Sequence, residues 1–80
     1  MEMKLTLDEL QPGQVGTITR ITGDERLQSV LREIGFAEQD EVEVLHYGPL
    51  GKSPVSVRLN RMMVALRRDE AASIDVQIVS

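Results

Sequence analysis

Between Glu41 and Glu70 the chain reads EVEVLHYGPLGKSPVSVRLNRMMVALRRDE, three short runs of alternating apolar and polar residues joined by links too brief to hold a helix. Successive side chains of a strand point to opposite faces. Val42 and Val44 against Glu41 and Glu43, then Val55, Val57 and Leu59 against Ser56 and Arg58, therefore specify strands with one buried and one wetted face. Gly48-Pro49-Leu50-Gly51 is expected to end the first of these at about Tyr47. Asn60-Arg61 links the second to a strand over Met62 to Arg67, asparagine being the non-glycine residue that best tolerates the positive φ of a tight hairpin. Such a segment makes a compact antiparallel β domain and offers no enzyme cleft.

The flanks complete it. Thr6-Leu7-Asp8-Glu9 has the Thr-x-x-Glu spacing of a capping box, predicting one or two helical turns that Gln11-Pro12-Gly13 then stops. Gln14 to Thr22 is rich in β-branched residues and reads as a strand. Gly16 falls inside it, and Val15 and Ile18 are out of step, so a bulge or a close backbone approach is expected near Gly16. Gly23-Asp24-Glu25 opens a helix with Leu27, Val30, Leu31 and Ile34 on one stripe and Gly35 as its cap, the face of Arg26, Gln28, Ser29, Arg32 and Glu33 being solvated. Arg68 to Ser73 reads as a short helical turn, and Ile74, Val76 and Ile78 as one face of a last strand. One helix, a helical turn at the start and about five short strands suit a small SH3-like barrel, closed so that no strand edge is left open. The helix stripe is expected across one open end, packing on Val42, Val44, Val55, Val57, Val64, Leu66, Ile74 and Val76.

Eighty residues allow one domain, 1–80, and a chain this short buries only about 60% of its unfolded surface, which disfavours a deep catalytic pocket. The chain has no cysteine, and its opening, MEMKLTLDELQPG, lacks the apolar core of a secretory signal; with no run of ~20 apolar residues to span a membrane, a cytoplasmic protein is expected. Nine Lys and Arg against thirteen Asp and Glu give a net charge of −4, and one Phe and one Tyr with no Trp leave few stacking platforms, so nucleic-acid binding is disfavoured. The same shortage removes the aromatic groove by which signalling SH3 domains hold proline-rich peptides.

Three sets of residues bear on function. Glu41 and Glu43 share a strand face and, with His46, are weak candidates for a divalent cation, against the plainer reading of a solvated acidic face and a structural histidine. Arg58, Arg61, Arg67 and Arg68 could meet an acidic partner, or could pair with Glu41 and Glu43 across strands. Tyr47, Pro49 and Leu50, with Lys52 beside them, form an apolar tip that either contacts a partner or folds its leucine back on the core. Lys52-Ser53 is followed by Pro54, so no phosphate-binding loop is formed.

The order Leu7-x-x-Leu10-x-Pro12-Gly13, Leu31-Arg32-Glu33-Ile34-Gly35-Phe36, Val42-Glu43-Val44, Gly48-Pro49-Leu50-Gly51, Pro54-Val55 and Val64 to Ala71 before Ile74-Asp75-Val76 resembles the FeoA family, the small cytoplasmic component of bacterial ferrous iron uptake. The resemblance spans Leu5 to Val76. It implies an SH3-like barrel without a cofactor that modulates the FeoB permease from its cytoplasmic side. The apolar loop of Tyr47, Pro49, Leu50 and Lys52, together with the helix face, is expected to meet that partner, with Arg58 and Arg67 orienting it. The same fold as the carboxyl-terminal domain of iron-dependent repressors of the diphtheria-toxin-repressor type gives a second reading, and a divalent-metal-binding protein a third; a chain opening on methionine without DNA-binding helices is expected to be the standalone form. Family members usually have Pro-Gly where this chain has Glu38-Gln39 and glycine where it has Asn60, so both turns must be made with less permissive residues.

Overall fold

A computed structural model describes residues 4–79. Six strands form one antiparallel sheet: β1 (Lys4–Thr6), β2 (Val15–Ile21), β3 (Glu41–Leu50), β4 (Ser53–Leu59), β5 (Met62–Leu66) and β6 (Ile74–Ile78), in the order β1-β6-β2-β3-β4-β5. The predicted helix α1 spans Glu25–Ile34, a 3-10 turn occupies Leu7–Glu9, and the short helix α2 is Arg68–Ala71. Leu7, Leu10, Ile18, Ile21, Leu31, Phe36, Val42, Val44, Val55, Val57, Leu59, Leu66, Ala71, Ile74 and Val76 make a single buried cluster, and no polar or charged residue is buried among those described. One face of the strands is apolar and, among the described residues, no second sheet covers it, so the sheet must curl round its own core.

The sheet has six strands where about five were expected, because β1 precedes the helical turn. Leu5 pairs with Val76 along β6 before Thr6 begins the 3-10 turn, Thr6 N–H donating to Glu9 Oε1 at 2.8 Å. Among the described residues hydrogen bonds do not close the barrel: β1 and β5 remain as edges.

The irregularity of β2 lies beyond Gly16. Gly16 is the close approach, since a Cβ there would sit 2.9 Å from Cβ of Val76. The register shifts between Ile18 and Arg20, so Thr19 is the extra residue and the buried positions run Gly16, Ile18, Ile21. Thr19 Oγ1 donates to the carbonyl of Asp75 at 3.3 Å across this bulge.

Asp24 caps α1, accepting from Leu27 N–H at 2.8 Å, and Gly35, at φ +129, ends it. Val30 does not pack with the stripe predicted for it. It is 40% exposed, while Leu31 is buried and Leu27 and Ile34 are partly buried. Phe36, just beyond the helix, is buried and does the anchoring instead. Gln39 and Asn60 both take positive φ, +78 and +56, as turns without glycine require.

Candidate functional site: the β3–β4 hairpin

β3 does not stop at Tyr47. It continues through Gly48 and Pro49 to Leu50, which pairs with Ser53, and the turn itself is Gly51-Lys52, with φ of +63 and +66. Two consecutive positive φ values in a two-residue link match the right-handed twist of the flanking strands. Gly48 is required where it stands because a Cβ would lie 2.5 Å from Cδ of Pro54 and against the carbonyl of Ser53. The Ser53-Pro54 peptide is cis.

A bulge decides which side chains face inward. Val44 pairs with Val57 and His46 with Ser56, so Leu45 is extra and the alternation slips by one. His46 therefore lies on the wetted outer face in mid-strand, not at a strand end, and Tyr47 takes the inner side opposite Val55. From there the Tyr47 hydroxyl shares its one O–H between the carbonyl of Asp8, at 2.9 Å, and that of Leu10. Burial, then the negative charge of Asp8, push its pKa up from the usual value. Arg68 adds a second tie, its Nη1 donating to the Gly51 carbonyl at 3.4 Å and its Nε lying 3.7 Å from Asp8 Oδ2. Lys52 Nζ sits 5.2 Å from the centre of the Tyr47 ring, within cation–π range.

Beyond these ties the tip is bare. Leu50 is 81% exposed, and Pro49 and Lys52 are exposed beside it. The structure thus gathers Tyr47, Pro49, Leu50 and Lys52 at one hairpin, with Tyr47 as its support more than its surface. Arg67, directly after Leu66, which pairs with Val55, belongs to the same end of the sheet. Arg58 does not: it pairs with Glu43 at 3.4 Å, toward the other end of β4. The cross-strand pairing expected of the arginines is thus met by Arg58 with Glu43, while Arg68 turns to Asp8.

Glu41, Glu43 and Arg58 line a shallow cleft of about 230 Å³ together with Val15, Val42 and Asn60. Among the described residues no group of three or more His, Cys, Asp or Glu is placed to hold a metal ion, and no helix is long and apolar enough to cross a membrane. Asp8 and Arg68, which fix the hairpin, were not singled out for it by the sequence, since nothing in the spacing of residues 8, 47 and 68 announces their meeting. Met63, 75% exposed, was legible: it falls between Met62 and Val64 on the outward phase of β5.

The FeoA domain family model matches residues 5–78. A Porphyromonas gingivalis protein described as a Fe(2+) transport protein A/Fe(2+) transporter FeoB fusion is 33% identical over 76 residues, 95% of this chain but 9% of that protein. A Campylobacter jejuni protein carrying the name Fe(2+) transport protein A is 31% identical over 94% of this chain and 100% of its own length. The crystal structure of Stenotrophomonas maltophilia FeoA with zinc, described as a procaryotic SH3 domain protein, superposes with a TM-score of 0.77 at 29% identity, covering 90% of this chain and 88% of that one. A manganese-dependent transcriptional repressor shares the fold alone, with a TM-score of 0.88 at 22% identity over 99% of this chain and 44% of its own.

Proposed function

This chain belongs to the FeoA family, and from that premise we propose that it is an accessory protein of ferrous iron uptake that acts by contact with a FeoB-type permease on its cytoplasmic side. The observation that carries the reading is the Porphyromonas gingivalis relative, in which a chain like this one and a FeoB transporter form one polypeptide. Fusion holds two modules at about millimolar effective concentration, which suits partners that work in contact. Such a domain modulates the permease and performs no chemistry of its own.

The contact surface in this reading is the tip of the β3–β4 hairpin. Leu50 and Pro49 supply the apolar anchor, Tyr47 holds it from beneath, Lys52 and Arg67 set its charge at the same end, and Arg58 orients the partner farther along β4. A large exposed side chain on a fixed support binds with little ordering cost, because the support is already formed. Glu41, Glu43 and His46 carry no metal in this account.

Binding of the chain to the purified cytoplasmic GTP-binding domain of a cognate FeoB, with a GTP analogue, with GDP and without nucleotide, tests the proposal. Nucleotide-dependent binding that Leu50→Glu weakens at least about tenfold, the size expected for an interface anchor, is the predicted result. Binding unaffected by Leu50→Glu would remove the hairpin tip. No binding to that domain or to the intact permease would remove the reading.

A further inference from the structure

The β4–β5 side of the molecule carries a second surface, which shares only Arg67 with the hairpin tip and does not rest on the permease reading. β5 is the last strand of the sheet and has one neighbour, β4. The two-residue link makes Leu59 and Met62 the first hydrogen-bonded pair, so Met63 and Ala65 turn their N–H and C=O groups to the open side. Among the described residues no hydrogen bond from outside the ladder reaches Met62–Leu66. The strand, Met-Met-Val-Ala-Leu, holds no proline and no charge, the devices that ordinarily blunt an edge. The opposite edge, β1, spans three described residues and runs directly into the 3-10 turn.

Charge identifies what such an edge would take. Arg61 and Arg67 bracket β5, are exposed, and form no ion pair among the described residues. From Lys52 to Arg68 the chain carries five basic side chains and no carboxylate, although the whole chain is acidic at −4. A second copy fits poorly: pairing β5 with itself about Val64 sets Arg61 opposite Arg67 at both ends, and like charges directly opposed across strands are destabilising. An extended segment with carboxylates at its ends meets the arginines favourably and lays its own backbone groups on Met63 and Ala65.

We propose that the open edge of β5 accepts an extended, acidic-ended segment of a partner protein as a seventh strand, main-chain bonds giving the affinity and Arg61 and Arg67 the choice of partner. The probe is a synthetic peptide of alternating threonine and valine, roughly one strand in length, ending in paired glutamates, with a lysine-ended version as its control. Each is titrated into the isotopically labelled full chain and followed by amide NMR and hydrogen exchange. The amides of Met63 and Ala65 should shift and become protected, with the glutamate-ended peptide binding about tenfold more tightly than the control, the size expected of two exposed charge pairs. The double variant R61E/R67E should invert that preference. A65P, which removes an outward N–H at an edge position where proline is tolerated, should abolish binding while the far-ultraviolet spectrum stays unchanged. Equal binding of the two peptides, shifts confined to another surface, no shift at millimolar peptide, or a preference that survives R61E/R67E would overturn the proposal. Protection of β5 that rises with the chain's own concentration would also overturn it, assigning the edge to a second copy.

Discussion

The two hairpins that share β4 expose different things. At β3–β4 the side chains are offered and the backbone is secured: Leu50 stands out, while Tyr47 and Arg68 bond the strand and turn beneath it to the Asp8–Leu10 segment and to Gly51. At β4–β5 the backbone itself is offered, and apart from Met62, whose methyl approaches Gly35, no described bond ties the strand from its open side. A tip built like the first can present one residue in one place. An edge built like the second can take a strand of almost any sequence, so its selectivity has to come from charges at its ends.

The largest expected break in this comparison is at Gly48. Gly48→Ala places a Cβ 2.5 Å from Cδ of Pro54, and neither strand of the hairpin can give way without losing register. A loss of about 2–3 kcal/mol in denaturant unfolding is expected, as for an overpacked site. Gly51→Ala meets nothing within 4 Å and suffers only from its φ of +63, so its loss should be about 1–2 kcal/mol. Equal losses at the two positions would mean that the hairpin is free to open at Pro54, and the rigid-tip half of the comparison would fail.

Tyr47→Phe comes next. The ring and its packing remain, while the carbonyls of Asp8 and Leu10 lose their donor, at a cost of about 1–2 kcal/mol. The sharper readout is local: amide exchange should quicken in Tyr47–Ser53 and stay unchanged in Met62–Leu66. Uniform quickening over both hairpins would show that the bond serves global stability and not the tip.

Titration probes the same support more gently. The pKa of Tyr47 is raised, so the neutral phenol is favoured in the fold; its contribution is full below pH 10.0, the ordinary value, and is lost as pH rises from there toward the folded value. Because Tyr47 is the sole tyrosine, tyrosinate absorbance reports it directly. Asp8→Asn should move the titration back toward 10.0, since burial would then be left as the main cause of the shift. A titration indifferent to Asp8 would place the carboxylate away from the ring.

Most of the architecture is legible in the sequence, because period-2 alternation survives in β4 and β6 and the helix stripe needs only local spacing. What could not be read were the slips. Residues Thr19 and Leu45 are unexceptional in sequence, yet each is the extra residue that sends its successors to the other face. Leu45 in particular sends His46 outward and Tyr47 inward, and so makes the tyrosine a support instead of part of the apolar surface. Val30 fails differently: it has the right spacing for the core but the short α1 covers the barrel with Leu31 and leaves Val30 at the margin, Phe36 taking the space beyond the helix. The tie between residues 8, 47 and 68 depends on three separate elements arriving together, which no local pattern encodes.

The smallest effect is the one that decides what Leu50 is. Sequence allowed either a tip for a partner or a leucine folded back on the core, and these differ in a quantity that needs no partner to measure. With 81% of its surface in water, Leu50 has little apolar burial to lose, and the ties beneath it run through Tyr47, Gly51 and Arg68. Leu50→Glu should therefore change unfolding free energy by no more than about 0.5 kcal/mol, the range of exposed positions away from special features. Met63→Glu, equally outward at β5, should be as quiet. A buried leucine would cost several times more, about 2–5 kcal/mol on truncation alone, so a loss beyond about 2 kcal/mol in Leu50→Glu would place this side chain in the core and leave the hairpin with nothing to present.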